Sequence, residues 1–107
     1  MGEKIISISK DFSRFPAGRF RRHGPYTGEA FREDILAPAI REHDKVTVDL
    51  DGTAGFGSSF LEEAFGGLTR MPEFSSVDLR DRVAITGGTR ADRAEVKKYL
   101  NTGNAGQ

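Results

Sequence analysis

The sharpest hydrophobic pattern lies mid-chain, where Val46, Val48 and Leu50 alternate with Thr47 and Asp49. A period of two predicts a strand with one buried face. The turn that follows is studded with Gly52, Gly55 and Gly57. Phe60, Leu61, Ala64, Phe65 and Leu68 then recur at helical spacing, which sets one apolar stripe against that strand. Ser59 and Glu62 fit a capping box, a hydroxyl and a carboxylate satisfying the free amides of a helix start.

The flanking segments extend the alternation of strands and helices. Lys4–Ile8 predicts an opening strand. From Asp11 to His23, Phe12, Phe15 and Phe20 are spaced among Arg14, Arg19, Arg21 and Arg22, with Pro16 and Gly18 as breaks. That predicts a turn, then a second strand around Arg19–Arg22. Gly24–Gly28 is a loop with Thr27 placed as an N-cap. Glu29–His43 predicts the first helix, its face formed by Phe31, Ile35, Ala39 and Ile40. Pro38 predicts a kink, or a stop near Ala37 and a restart with the proline in the first turn, because its ring opposes the Asp34 carbonyl. After a loop at Thr69–Ser76, the shared parity of Val77, Leu79, Val83 and Ile85 suits one interrupted strand. The shorter reading is a strand at Arg82–Thr86, ended by Gly87 and Gly88. Thr89 caps a last helix reaching about Leu100, with Val96 and Leu100 one turn apart. The order of elements predicts an α/β fold: a mixed four-stranded sheet with helices mainly on one face. Residues 1–100 form the expected domain and 101–107 a flexible polar tail.

Composition narrows this picture. A chain of 107 residues suits one domain with its own core, and the absence of cysteine excludes disulfides, thiolate metal sites and cysteine nucleophiles. No apolar run has membrane-spanning length and the N-terminus lacks a signal-peptide core, so a soluble cytoplasmic protein is expected. The formal net charge is zero, yet it is segregated. Met1–Arg32 carries seven basic and three acidic residues, Glu33–Asp81 four and eleven, and the remainder five and two. Such blocks suit charge-guided docking, and a solvated surface accounts for them as well.

Three stretches together resemble a known family: Thr27-Gly28-Glu29-Ala30-Phe31-Arg32, Val48-Asp49-Leu50-Asp51-Gly52, and Gly57-Ser58-Ser59-Phe60-Leu61-Glu62-Glu63-Ala64-Phe65-Gly66. They resemble a STAS domain (sulfate transporter and anti-sigma-factor antagonist), and more closely the bacterial STAS-like family of unknown function. The resemblance spans Ile5 to Leu100. In anti-sigma-factor antagonists a partner kinase phosphorylates the first serine of an Asp-Ser-Ser-Gly-Leu turn, which switches off partner binding. That serine falls on Ser58 and its neighbour on Ser59, while the family aspartate falls on Gly57 and the glycine on Phe60. The resemblance therefore implies a non-enzymatic signalling module that binds a histidine-kinase-like ATPase or another regulator. Ser58 is the candidate for phosphorylation. Gly57, Ser58, Ser59, Phe60 and Glu63 are the candidate contacts with the partner or with an anion, flanked by Thr27, Arg21 and Arg22.

Simpler chemistry competes at each position. Either serine suffices as a helix cap, worth about 1 kcal/mol. The same helix start, opened by Gly55 and Gly57, also suits a small anionic ligand such as a nucleotide or phosphate. A serine hydrolase is disfavoured, because Phe60 stands where the nucleophile elbow needs glycine and neither His23 nor His43 sits in a motif. Arg21-Arg22-His23 beside Phe20 suits single-stranded nucleic acid, but zero net charge and a single short cluster argue against it. As a solvated edge strand, the cluster would deter unwanted sheet pairing. Within the fold, Arg19 and Arg32 are candidates to bridge to Asp49 or Asp51. Those two aspartates alone are a weak magnesium signal. No metal or cofactor is expected. Phe31, Phe56, Phe60 and Phe65 read as core, with Phe56 or Phe60 available as an anchor.

Overall fold

The computed structural model describes residues 2–74 and 78–105. Its centre is a sheet of three parallel strands in chain order, β1 (Glu3–Ser7), β2 (Lys45–Asp49) and β3 (Val83–Thr86). Ile6 pairs with Val48 and Val48 with Ile85, so Ile6, Val46, Val48, Val83 and Ile85 share one face. Parallel crossovers are nearly always right-handed, so two that advance in the same direction place their helices on the same side. The burial agrees: Val46 and Val48 are fully buried, whereas Ile5 on the opposite face is 69% exposed. The expectation of helices mainly on one face fits this arrangement.

The expected mixed four-stranded sheet does not form among the described residues. The segment expected as its second strand holds a 3₁₀ turn, Arg21–His23, within an irregular connection. Local bonds outcompete a ladder there. Ala17 donates to the Tyr26 carbonyl, Gly28 to Gly18 and Glu29 to Arg19, and the His23 ring accepts the Phe20 amide. One helical turn, α1 (Ile8–Asp11), leads into this connection.

Helix α2 (28–42) opens as an α turn, Gly28–Phe31, widens into a π turn, Arg32–Leu36, and resumes as α at Ala37–Glu42. The wide turn ends just before Pro38, which has no N–H to give and whose ring crowds a tighter helix. The α form resumes at Ala37 with the proline in its first turn, but the helix runs on without the stop near Ala37 that the sequence suggested. Helix α3 (58–69) repeats the device: Ser58–Leu61 in α, Glu62–Gly66 in π, and Gly67–Thr69 in α.

Pro72–Phe74 forms a 3₁₀ turn. A helix not expected from the sequence follows, α4 (Asp78–Arg82), so of the parity pattern that suggested one interrupted strand Leu79 is helical, while Val83 and Ile85 belong to β3. Val77, which completed the strand pattern, lies outside the described residues. Helix α5 (Arg90–Ala105) runs past the expected end at Leu100, so the expected tail begins inside a helix. Among the described side chains, Val96 and Leu100 are those that α5 buries in the core.

Candidate functional site

The glycine turn joins the carboxyl end of β2 to the start of α3. Gly52 and Gly55 have φ of +93° and +136°, conformations that L side chains rarely adopt. At Gly52 an added Cβ would also meet Ser9 Oγ at 2.5 Å. Gly57, in extended conformation, is the N-cap of α3, and no side chain caps the helix. Ser58 and Ser59 therefore occupy the first two helical positions, and both are exposed. The expected capping box of Ser59 and Glu62 is absent. The helix starts two residues too early for it, and Glu62 is held elsewhere.

Guanidinium groups hold Glu62. Arg70 Nη1 donates to its Oε2 at 2.6 Å, and Arg19 Nη1 donates to its Oε1. The hydrogen bond from Arg70 is the main reason that the Glu62 carboxyl stays below its ordinary pKa, against partial burial and with help from Arg19. Arg19 is raised in turn, chiefly by its bond to Glu62. Beneath this pair lies a buried one. Arg32 Nη1 donates to Glu63 Oε2 at 2.6 Å and to the Glu63 carbonyl at 2.7 Å, with the two residues only 8% and 7% exposed. Each belongs to a π turn, and the two wide turns pack together. Arg19 and Arg32 thus reach Glu62 and Glu63, not Asp49 or Asp51 as the sequence suggested.

Those aspartates fasten loops. Asp49 Oδ1 accepts the Asp51 amide, and Asp51 Oδ1 accepts the Gly88 amide at 2.8 Å, tying the turn after β2 to the turn after β3. Among the described residues, no group of three or more His, Cys, Asp or Glu is arranged to hold a metal ion.

Most of the other site residues lie on or under one side of α2 and α3. Thr27 is an N-cap as expected, its Oγ1 accepting the Ala30 amide at 3.2 Å, but it is fully buried. Phe60 and Glu63 are also buried, so these three shape the surface from below. Phe60 sits in an aromatic cluster with Phe31, Phe56 and Phe12, and Phe56 is half-buried against it. Arg21 is committed to Glu33 and Asp34 at 3.0 and 2.7 Å. Arg22 is exposed over the Phe20 ring. His43 Nδ1 lies 3.1 Å from the Ala39 carbonyl, so both imidazoles are engaged within their own elements.

Sequence reasoning missed two members. The Tyr99 phenol on α5 interacts with the Ser58 hydroxyl and donates to Glu95 Oε2 at 2.7 Å. That bond to Glu95 is the main reason the phenol pKa is raised. Arg70 is the other, eight residues beyond the carboxylate it clamps. Neither carries a local signal, because both act across elements or turns.

A family model described as a STAS-like domain of unknown function matches residues 27–89. The chain belongs to this STAS-like family. The match runs from the cap of α2 through β2, the serine turn, α3 and β3, and so contains the whole candidate site apart from Arg19, Arg21, Arg22 and the Tyr99–Glu95 pair. No curated protein and no solved structure matches the chain. In this STAS-like domain, no helix among the described residues is long and apolar enough to cross a membrane.

Proposed function

We propose that this STAS-like domain is a non-enzymatic signalling module that docks a protein partner on the serine turn and the exposed side of α3. The partner class that the resemblance implies is a histidine-kinase-like ATPase. One observation carries the reading: Ser58 and Ser59 are exposed and neither caps the helix, so helix capping does not account for their presence. A phosphoryl group on Ser58 would meet the positive end of α3, so the fold tolerates it. It would also stand near Tyr99, whose phenol feels both Glu95 and Glu62. The added charge would make that patch strongly negative and repel an acidic partner surface.

Intact-mass analysis of protein from its native host, with peptide mapping across Gly52–Arg70, tests this. A phosphoryl group on Ser58 is the expected result, together with loss of partner binding in Ser58→Asp. A turn unmodified under several growth conditions, with Ser58→Asp binding the captured ATPase as wild type does, would overturn it. A second reading is favoured by the uncapped amides at the start of α3: a small anion, phosphate or nucleotide, bound there. Saturating phosphate or nucleotide would then raise Tm by mass action, and the docking reading predicts no such rise.

A further inference from the structure

A strand at the edge of a sheet presents unpaired N–H and C=O groups that another chain can pair with, and β3 has no neighbour on its outer side among the described residues. The Thr86 carbonyl accepts the Leu50 amide, so the backbone groups of Thr86 face β2. Backbone direction alternates along a strand, which puts Ala84 on the same side and turns the N–H and C=O of Ile85 outward. They face a groove of about 360 Å³ between β3, α4 and the last turns of α5. Ile85 and Leu100 give it an apolar floor, and Lys45, Arg80, Asp81 and Lys97 stand around it. These four charged residues are all exposed, and none forms an ion pair among the described residues. Three cations against one anion make the groove basic.

From this combination we infer that the β3 edge is a second interaction surface, which takes an extended acidic segment of a partner protein as a fourth strand. Backbone hydrogen bonds to Ile85 would supply the pairing, alternate β-branched residues would fill the floor, and acidic residues would meet Lys45, Arg80 and Lys97. A second copy of this chain fits poorly, because two-fold pairing of the edges would set the same three cations against themselves. The inference is independent of the serine turn.

The probe is an end-blocked peptide, Glu-Val-Asp-Ile-Glu-Val, titrated into isotope-labelled protein by NMR. The expected result is shifts concentrated on Val83–Thr86, slowed exchange of the Ile85 amide, and loss of binding when alternate peptide nitrogens are methylated. Arg80→Glu with Lys97→Glu, both exposed, should keep Tm and lower affinity about tenfold. Equal binding by that variant, equal binding of a Lys-Val-Lys-Ile-Lys-Val peptide, or no shift at about 1 mM peptide would overturn the inference. So would protection of Ile85 that grows with protein concentration in the absence of peptide, the signature of a second copy on the edge.

Discussion

At the scale of single residues, the buried pair of Arg32 and Glu63 joins α2 to α3. Arg32 gives one nitrogen to both the carboxylate and the carbonyl of Glu63, while its buried Nε has no partner among the described residues. Such a pair gains little over a well-packed apolar one, but breaking it strands a charge. Arg32→Ala is expected to lower stability by about 3–5 kcal/mol in urea titrations. Pairing Arg32→Met with Glu63→Leu should restore most of that loss. A cost below about 1 kcal/mol for the single change would mean that water relieves Glu63.

Glu62 sets a pH dependence. Its carboxyl lies below the ordinary 4.5 in the folded state, so the stabilisation it gives is present above that value and fades as pH falls through the lower folded value. Urea midpoints measured downward from about pH 6 should drop on the acid side, with a shallower drop in Glu62→Gln. Glu73, lowered by its hydrogen bonds from Arg41, contributes with the same sign, so some slope should survive in the variant. An unchanged slope would show that the Arg19 and Arg70 contacts do not persist in solution.

Between elements, the packing of α2 on α3 turns on a glycine. A Cβ at Gly28 would sit 2.5 Å from the Phe60 carbonyl oxygen and 3.0 Å from the Ala64 nitrogen, both backbone atoms that move only with the helix. Gly28→Ala should cost about 1–3 kcal/mol in thermal melts. Gly57→Ala meets open space at a φ of −80° and should cost less than about 1 kcal/mol. Equal costs would mean that the two helices are free to separate. Elements with an unbroken period were legible in the sequence: β2, β3, α2 and α3 all fall where their apolar residues placed them. The strand expected at Arg19–Arg22 was not, because charge and aromatics alternate there without a core to face. The π turns were hidden as well. In α2 the widening ends next to Pro38 and in α3 it accompanies the contact with Arg32, which no periodicity records.

Across the whole molecule, the one-sided sheet divides the surface. Both crossovers fall on one side, leaving Ile5 bare on the other and, among the described residues, the β3 edge open. The serine turn lies at the carboxyl end of the strands, where two glycine turns are tied together by Asp51. Because Ser58 is exposed, Ser58→Asp is expected to change stability by less than about 0.5 kcal/mol while altering binding. A large loss of stability would assign the serine a structural task instead.

Local physics let the sequence alone determine much of this protein. Alternation placed the strands, helical spacing placed the stripes of α2 and α3, Thr27 capped its own helix, and the motifs around Ser58 pointed to the STAS-like family. These features act over a few residues, so their signal is contiguous in the chain. Tertiary structure decided what long side chains do. Arg19 spans 43 positions to reach Glu62, and Arg32 spans 31 to reach Glu63. Arg82 reaches back to the carbonyls of Ile40, His43 and Asp44 at the end of α2. A guanidinium on a flexible stem selects its partner by distance and desolvation in the folded molecule. The Glu62 that looked like a cap partner was therefore drawn to stronger, charge-assisted donors, and the serines before it were left facing solvent.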